Sequence, residues 1–418
     1  MAPKLGIIAD DFTGATDIAS FIALAGWQVI QLNGIPEETV DLNNVDAVVI
    51  SLKSRSCAVA EAETLSRQAM EWLNQQHCKR LYFKYCSTFD STAMGNIGPV
   101  TDLLLTETGL NMAVLCPALP INGRTVVHGH LFVHGQLLNE SGMQNHPLTP
   151  MMDANLLRVM EKQASGECGL IPLSCIQAGK QAIQWHLLAL QKAGKRYAVL
   201  DALTEEDLRT LAASLPEDVL LTGGSGLAGA LAANQPLNPQ FVGDELPSRE
   251  GNCVVLAGSC SMMTNQQVAH YKQTAPAKAV DVERALQAED LYLQELTDWY
   301  QSQPKEWAPL IYATRPAEEV KAMQARFGAE IVGAAIENLL AALAVRLNRL
   351  GVNKIIVAGG ETSSQLVQQL DVKGFTIGGA ITPGVPWVKD VRRPLWLALK
   401  SGNFGDENFF FKAQEVFA

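Results

Sequence analysis

Two adjacent aspartates, Asp10 and Asp11, follow a short apolar run near the start of the chain. Their carboxylates could accept hydrogen bonds from the hydroxyls of a ligand, and one of them could act as a general base. Aspartate is also favoured at the cap of a helix, and helical apolar spacing follows Gly14. One acid is enough for a cap, so the pair favours a ligand-binding role.

A second polar segment begins at Lys84 and includes Ser87, Thr88 and Asp90. The lysine offers a positive charge and the hydroxyls match those of a polyol, so the segment suits a ligand that carries a carboxylate and hydroxyls. The alternative is a turn rich in serine and threonine that hydrogen-bonds to its own backbone.

Arg124 lies in a third polar segment, close to His128 and His130. A guanidinium can bind a carboxylate through two parallel hydrogen bonds, so Arg124 is a candidate contact for an acidic ligand. The histidines form only a His-x-His pair, without a cysteine or carboxylate at ligand spacing, and we predict no metal site.

Three glycine-bearing loops in the C-terminal part of the chain each follow an apolar run. Small residues let backbone N–H groups approach an anion, and the N-terminus of a following helix favours negative charge. Three such loops together indicate a nucleotide site, although no Gly-x-x-x-x-Gly-Lys-Ser/Thr motif occurs and the chain is therefore not a P-loop enzyme. The loops are Ala257–Ser261, Gly359–Ser363 and Leu399–Gly405.

Gly224, Gly226 and Gly229 have the spacing Gly-x-Gly-x-x-Gly, after a predicted strand and before a predicted helix. A dinucleotide site would also need an acidic residue at the end of the next strand, about 20 residues further on. A proline-bearing segment occupies that place. We therefore favour close backbone packing, or a loop that faces a ligand, over a dinucleotide site.

Strands that alternate with helices would position these loops. The alternation predicts an α/β fold, with a mainly parallel sheet flanked by helices on both faces. In such sheets ligands bind beyond the carboxyl ends of the strands, where the polar loops lie. Residues 124–150 interrupt the pattern and predict a hairpin or lid. Strands are predicted at 5–9, 46–52, 81–84, 112–116, 198–201 and 219–222, and helices at 15–26, 60–75, 152–164 and 205–215.

A stretch with three prolines and no periodicity spans residues 234–251. It divides the chain into an N-terminal domain, residues 1–235, a linker, residues 236–251, and a C-terminal domain, residues 252–418. The second domain repeats the α/β pattern, with strands predicted at 252–257 and 354–358 and helices near 264 and at 330–350.

Composition excludes several classes of protein. The net charge of −11 argues against a nucleic-acid partner, which needs a basic surface. The eight cysteines lack zinc or C-x-x-C spacing and predict reduced thiols in the cytoplasm. The sequence shows no signal peptide, and no apolar run approaches the roughly 18–20 residues that span a membrane, so no membrane association is predicted.

Seven segments together resemble the four-carbon acid sugar kinase family, and the resemblance covers nearly the whole chain. The form Lys-Tyr-Cys-Ser-Thr-Phe-Asp at residues 84–90 is similar to the 3-oxo-tetronate kinase branch. The segments are ADDFTGATDIA at 9–19, FKYCSTFDST at 83–92, PALPINGRTVVHGHLFV at 117–133, AGSCSMMT at 257–264, AGGETSS at 358–364, TPGVPW at 382–387 and LKSGNFG at 399–405.

The resemblance implies an ATP-dependent kinase that phosphorylates the C4 hydroxyl of 3-oxo-tetronate (3-dehydro-erythronate), with its active site in the cleft between the domains. It implies that the N-terminal domain binds the sugar acid and that the C-terminal domain binds ATP, with Mg²⁺ carried by the nucleotide. The matching nucleotide-binding residues are Ser259, Gly359, Gly360, Glu361, Thr362, Gly402, Asn403 and Gly405.

For this reaction, Asp11 and Asp90 are candidates for the carboxylate that orients or deprotonates the hydroxyl. Lys84 and Arg124 would hold the carboxylate end of the substrate, and the remaining predicted contacts are Asp10, Ser87 and Thr88. The sequence does not decide the base, the D or L form of the acid, or the oligomeric state, although homo-oligomers are common.

Three alternatives remain open from the sequence. The chain could be a threonate or erythronate kinase of the same family. It could be an NAD-dependent sugar-acid dehydrogenase that uses the glycine motif at 224–229, or a sugar-acid sensor without catalysis.

Overall fold

The computed structural model describes residues 2–145, 149–235, 245–287 and 290–417. Contacts within the chain divide it into two compact units, residues 1–241 and residues 242–418. The bounds of the linker, 236–251, stay a prediction, since residues 236–244 lie outside the described residues.

The N-terminal unit alternates strands and helices. Its strands are β1 (Leu5–Ala9), β2 (Val29–Asn33), β3 (Ala47–Ser51), β4 (Arg80–Lys84), β5 (Ala113–Cys116), β6 (Arg124–Val127), β7 (His130–Val133), β8 (Gln136–Leu137), β9 (Cys168–Ile171), β10 (Tyr197–Leu200) and β11 (Leu220–Gly223). Its α-helices are α1 (Phe12–Leu24), α2 (Val59–Gln75), α3 (Ile97–Thr108), α4 (Leu156–Glu161), α5 (Leu173–Gln177), α6 (Lys180–Lys192), α7 (Glu205–Ser214) and α8 (Ser225–Ala233).

A parallel sheet forms the core of this unit, with the strand order β2-β3-β1-β4-β11-β5-β10-β9. Strands β1, β3, β5 and β10 are buried along their whole length, as expected where helices cover both faces. The chain places β3 on one side of β1 and β4 on the other. This reversal creates the topological switch point at which such sheets bind ligands.

The six strands predicted in the N-terminal domain are confirmed to within one residue at each end. Two helix predictions were wrong in their bounds. Helix α1 begins at Phe12 rather than at residue 15, because the Asp11 carboxylate caps it three residues earlier. Helix α4 covers only Leu156–Glu161 of the predicted range 152–164, because Asn155 caps the N–H of Arg158 and the preceding residues are not helical. Strands β2 and β9 were not predicted.

The predicted hairpin is confirmed: β6, β7 and β8 form a separate antiparallel sheet. Its tight turn has positive φ angles at His128 and Gly129. The Asp201 carboxylate, which is fully buried beyond β10, accepts hydrogen bonds from both of these backbone N–H groups at 2.9 Å. The hairpin is therefore anchored to the edge of the parallel sheet at which the strands end.

The C-terminal unit has a mixed sheet. Five parallel strands in the order β13-β14-β12-β15-β18 are followed by the antiparallel strands β17 and β16. The strands are β12 (Asn252–Ala257), β13 (Ala277–Ala279), β14 (Leu310–Tyr312), β15 (Val352–Ala358), β16 (Gly374–Thr382), β17 (Val385–Asp390) and β18 (Trp396–Lys400). The helices are α9 (Met262–Tyr271), α10 (Val282–Leu286), α11 (Asp290–Ser302), α12 (Ala317–Phe327), α13 (Ala329–Arg349), α14 (Gly360–Gln369) and α15 (Phe409–Glu415).

The described residues contain no single helix that is long and apolar enough to cross a membrane. One pair of consecutive helices, Glu318–Phe327 and Ala329–Arg349, is long and apolar enough when the two are taken together. The chain bends by 104° between them.

Candidate active site

The polar loops of the N-terminal unit follow neighbouring strands. The parallel strands β3, β1, β4 and β11 are adjacent and end at one edge of the sheet. Asp10 and Asp11 follow β1. Arg55 follows β3, and Lys84 is the last residue of β4. The fold therefore brings residues that are distant in sequence to one place.

Arg55 binds both predicted aspartates. Its Nε and Nη2 atoms donate to the two carboxylate oxygens of Asp10 at 3.0 and 2.8 Å, and Nη2 also donates to Asp11 Oδ1 at 2.8 Å. Arg55 was not predicted as a site residue, because its neighbours in the sequence do not distinguish it from a surface arginine. Only the pairing of β3 with β1 places it beside the acids.

The two aspartates differ in their electrostatics. Burial raises the pKa of Asp10, and the guanidinium of Arg55 offsets only part of that effect. Burial would also raise the pKa of Asp11, but Arg55, Lys84 and hydrogen bonds from the Thr13 hydroxyl and the Gly14 N–H outweigh it and lower the pKa. The capping role weighed for this motif is confirmed for Asp11.

Lys84 is buried against the start of α1. Its Nζ donates to the Tyr85 carbonyl at 2.8 Å, and a Cβ atom added to Gly14 would lie 3.1 Å from that nitrogen. The ammonium therefore faces the first turn of α1, beside the cluster of Arg55, Asp10 and Asp11.

The loop after Lys84 is partly a self-bonded turn. The Thr88 hydroxyl donates to Asp90 Oδ1 at 2.6 Å, and the Cys86 sulfur lies 2.9 Å from the same hydroxyl. Phe89 adopts a positive φ of 50° while fully buried, with its ring against Tyr85. A bulky residue in this conformation stores strain, and such strain clusters at functional sites. Ser87 is half-buried at the same end of β4.

Helix α1 carries another carboxylate at the same place, Asp17. Its Oδ2 accepts a hydrogen bond from the hydroxyl of Ser225, the first residue of α8. Its Oδ1 is buried and has no hydrogen-bond partner among the residues that the structure describes. Burial raises the pKa of Asp17, opposed by the positive charges of Lys84 and Arg124. Asp17 lies within the quoted segment at 9–19 but was not predicted as a site residue, because it occupies a polar position within a helical pattern.

Arg124 begins the hairpin at β6. One guanidinium nitrogen donates to the Asn122 carbonyl, whereas Nε is buried and has no partner in the described part of the chain. Because Arg124 is among the charges that act on Asp17, it lies near the cluster at the ends of β1 and β4. His130 Nδ1 instead lies 2.9 Å from the carbonyl of His128, within the hairpin.

The glycine motif at 224–229 serves close packing. A Cβ atom would lie 2.9 Å from the Pro117 carbonyl oxygen at Gly224, 2.7 Å from the Ala118 carbonyl oxygen at Gly226, and 3.2 Å from Phe21 at Gly229. Helix α8 consequently packs directly on α1 and on the segment after β5. This confirms the packing interpretation of the motif.

In the C-terminal unit the three predicted loops meet at the ends of the adjacent parallel strands β12, β15 and β18. A Cβ atom at Gly402 would lie 2.5 Å from Ser259 Oγ, and one at Gly359 would lie 2.9 Å from Thr362 Oγ1 and 3.2 Å from the Ser259 nitrogen. A side chain at Gly359 or Gly402 would clash with these atoms, so only glycine lets the loops pack this closely. The loops form a cradle of backbone and hydroxyl groups at the start of α14, a geometry that fits the phosphates of a nucleotide.

The other predicted nucleotide contacts surround this cradle. Gly360 begins α14, and the side chains of Glu361 and Asn403 are exposed. Gly405 has a positive φ of 75°, and a Cβ atom there would lie 2.9 Å from the Phe409 ring, so it shapes the loop.

Beneath the third loop lies Lys400, which is fully buried and was quoted in the sequence motif but not predicted as a site residue. Its Nζ donates to Thr264 Oγ1 and to the Ser401 and Gly402 carbonyls at 2.9–3.1 Å. Burial lowers the pKa of Lys400 to about 7. Within the described ranges, no group of three or more His, Cys, Asp or Glu side chains could hold a metal ion.

Comparison with known proteins assigns both units to one family. Residues 5–231 match the family model of a sugar-binding N-terminal domain, and residues 254–410 match that of a nucleotide-binding C-terminal domain. The chain therefore belongs to the four-carbon acid sugar kinase family, as its seven motifs predicted.

Similar proteins extend over the whole chain. A 3-oxo-tetronate kinase of Pectobacterium atrosepticum is 52% identical, with 99% of each chain covered. One from Brucella melitensis is 51% identical over 99% of this chain and 95% of its own. A crystal structure of a Salmonella typhimurium protein superposes with a TM-score of 0.93 at 50% identity over 99% of both chains. A Haemophilus influenzae structure gives 0.85 at 49% identity, covering 99% of this chain and all of its own.

Proposed function

We propose that this chain is a 3-oxo-tetronate kinase, which transfers the γ-phosphoryl group of ATP to the C4 hydroxyl of the acid. Full-length relatives of that name at about half identity support the activity. The family pairs a sugar-binding with a nucleotide-binding domain, as a two-substrate kinase requires.

The proposal rests mainly on one observation: each of the two units has its own polar site, and the two sites differ in chemistry. The C-terminal cradle packs Gly359 and Gly402 closely against the hydroxyls of Thr362 and Ser259 at the start of α14, where a helix N-terminus favours the phosphates of a nucleotide. The N-terminal cluster combines the carboxylates of Asp10 and Asp11 with the ammonium of Lys84, which suits hydroxyls and a carboxylate.

Within the N-terminal site, we assign binding of the substrate carboxylate to Lys84 and Arg124. The buried Nε of Arg124 lacks a partner, and an acidic ligand would supply one. Asp10, Ser87 and Thr88 are assigned to substrate hydroxyls. Asp11 and Asp90 remain the predicted catalytic candidates.

Phosphoryl transfer depends mainly on positioning and on neutralising charge. Mg²⁺ would come with ATP and be held chiefly by phosphate oxygens and water. The cleft between the domains and the cytoplasmic location are further predictions of the sequence, and the oligomeric state is left open.

Two observations weigh against the dehydrogenase. The glycines at 224, 226 and 229 are in close packing contacts, and the full-length relatives at about half identity are kinases. Threonate and erythronate differ from the proposed substrate at one carbon, so they are the acids to compare.

The direct test measures ADP release from ATP and Mg²⁺ with 3-oxo-tetronate, threonate or erythronate. We expect release that depends on the acid and is fastest with 3-oxo-tetronate. Faster turnover of threonate or erythronate would reassign the substrate. Binding of the acid without ADP release would indicate a sensor, and a nicotinamide absorbance change would support the dehydrogenase.

Replacing Arg124 by alanine tests the assignment of substrates to domains. We expect the KM for the acid to rise at least about tenfold, since a hydrogen bond to a charged group contributes roughly 1.5–3 kcal/mol. The KM for ATP should change little. Arg158→Ala is the control, because Arg158 forms an exposed ion pair with Asp153. A larger change in the KM for ATP would refute the assignment.

A further inference from the structure

One carboxylate oxygen of Asp17 accepts no hydrogen bond from the described residues. Its Oδ2 accepts the Ser225 hydroxyl, but Oδ1 is buried and has no hydrogen-bond partner within the described ranges. A buried carboxylate oxygen without a donor is costly, and its persistence indicates either strain or use by a ligand. The missing partner is therefore a donor that the described part of the chain does not provide.

The surroundings of Asp17 are those of the proposed substrate site. Its charged neighbours are Lys84 and Arg124, which attract it, and Asp11, which repels it. Gly14 lies three residues earlier on the same face of α1, and the Lys84 ammonium covers that glycine. Asp17 thus belongs to the same cluster as the two cations assigned to the substrate carboxylate. Because the acid has only four carbons, a molecule held there by its carboxylate keeps its C4 hydroxyl within the same small site.

The other acids of the site are more fully engaged. Asp10 is held at both oxygens by Arg55. Asp11 accepts hydrogen bonds from Arg55 and Gly14 at Oδ1 and from Thr13 at Oδ2, and its pKa is lowered, which makes it a weak base. Asp90 accepts the Thr88 hydroxyl. Asp17 differs in having a buried oxygen without any donor.

We propose that Asp17, rather than Asp11 or Asp90, is the catalytic residue that accepts the proton of the substrate C4 hydroxyl. The inference rests on the proposed kinase function. As the hydroxyl O–H bond breaks, its proton passes to Asp17 Oδ1, and the oxygen forms a bond to the γ-phosphorus. The bond between that phosphorus and the bridging oxygen breaks, and ADP leaves with the electron pair.

Ser225 is the positioning residue in this scheme. Its hydroxyl fixes Oδ2 and leaves Oδ1 for the substrate. Burial raises the pKa of Asp17, and a carboxylate whose pKa is raised is a better proton acceptor. The Ser225 hydrogen bond opposes that rise, so its removal should raise the pKa further.

The test compares Asp17→Asn and Ser225→Ala with the wild-type chain. Asp17→Asn should lower kcat by about 10²–10⁴-fold, the usual contribution of general base catalysis. Nucleotide binding, followed by the ATP-induced rise in Tm, should be unchanged. Asp153→Asn is the control, because that aspartate lies in a surface ion pair.

The Ser225→Ala variant tests the positioning role through the pH dependence of kcat. That pH dependence would not change if Ser225 had only a structural role. The acidic limb of the kcat–pH profile should shift to higher pH, since the base must be deprotonated to act. This result would support the proposal even if Asp17→Asn failed to fold. An unshifted limb in the active Ser225→Ala variant would overturn the proposal.

Two further outcomes separate this proposal from the function on which it rests. An Asp17→Asn variant with more than a tenth of the wild-type kcat would overturn the role of Asp17 alone. A wild-type chain that releases no ADP with any of the three acids would overturn the proposed function and this inference with it.

Discussion

Lys400 shows how one buried residue can make the glycine-bearing loops of the C-terminal unit sensitive to pH. Its ammonium group lies at the base of the Gly402 loop and satisfies two backbone carbonyls and the Thr264 hydroxyl. Burial lowers the pKa of Lys400 from 10.5 to about 7. Near neutral pH the lysine beneath the loop can therefore gain or lose its proton.

This lysine predicts a pH dependence of stability. Between pH 7 and 8.5 the unfolded chain keeps the Lys400 proton whereas the folded chain releases it, so the free energy of unfolding should rise with pH. The contribution can approach about 1.4 kcal/mol per pH unit. Lys400→Met should remove it, as measured by denaturant unfolding at several pH values.

The matched control is Lys321→Met, which replaces an exposed lysine. The difference in unfolding free energy between wild type and Lys400→Met should grow with pH, whereas the difference for the control should stay constant. Equal pH slopes for all three chains would contradict the prediction.

At this scale the sequence predicted only part of the site. Asp10, Asp11 and Lys84 were found because each is a polar residue at the end of an apolar strand. Arg55, Asp17 and Ser225 were missed because they reach the site through tertiary packing. No local pattern encodes the pairing of β3 with β1 or the contact of α8 with α1.

At the scale of elements, glycine determines where the loops of the C-terminal unit can meet. A Cβ atom at Gly402 would lie 2.5 Å from Ser259 Oγ and 2.8 Å from Ser261 Oγ. One methyl group there would push the loops after β12 and β18 apart.

Gly402→Ala should therefore raise the KM for ATP by roughly tenfold, about 1.4 kcal/mol of binding free energy. The KM for the acid should change little. Gly333→Ala provides the control, because a Cβ atom there has no neighbour closer than 3.8 Å. Steady-state kinetics with each substrate varied in turn would check this. An unchanged KM for ATP in Gly402→Ala would place the nucleotide elsewhere.

The elements themselves were largely predictable, since buried parallel strands form continuous apolar runs such as Leu5–Ala9 and Ala47–Ser51. Errors arose at helix ends, where a single cap decides the boundary. The Asp11 cap starts α1 earlier than the apolar spacing of that helix predicts, and the Asn155 cap starts α4 later than predicted.

At the scale of the molecule, the division into a sugar-binding and a nucleotide-binding domain predicts that each ligand can stabilise the chain separately. A ligand at about 100 times its Kd adds about 2.7 kcal/mol to the free energy of unfolding. ATP should thus still raise the Tm of Arg124→Ala, and the sugar acid should still raise the Tm of Gly402→Ala.

In each variant only the other response should fall, to roughly half when the ligand binds tenfold more weakly, which thermal unfolding with one ligand at a time would measure. A fall in both Tm shifts in either variant would show that the two sites do not bind independently. The sequence foresaw two α/β domains from the proline-bearing stretch and the repeated alternation of strands and helices. The substrate came only from resemblance, because strand ends and glycine loops reveal the charge and size of a ligand but not its carbon skeleton.

The hairpin of β6, β7 and β8 has an evolutionary consequence. It forms its own small sheet and is held to the parallel sheet by Asp201 and by the bridge between Val126 and Ala202. In the proposed site, Arg124 can therefore be exchanged together with its hairpin while the buried strands stay as they are. Under the proposed role of Arg124, changes confined to this hairpin would alter which acid is bound before the core has to adapt.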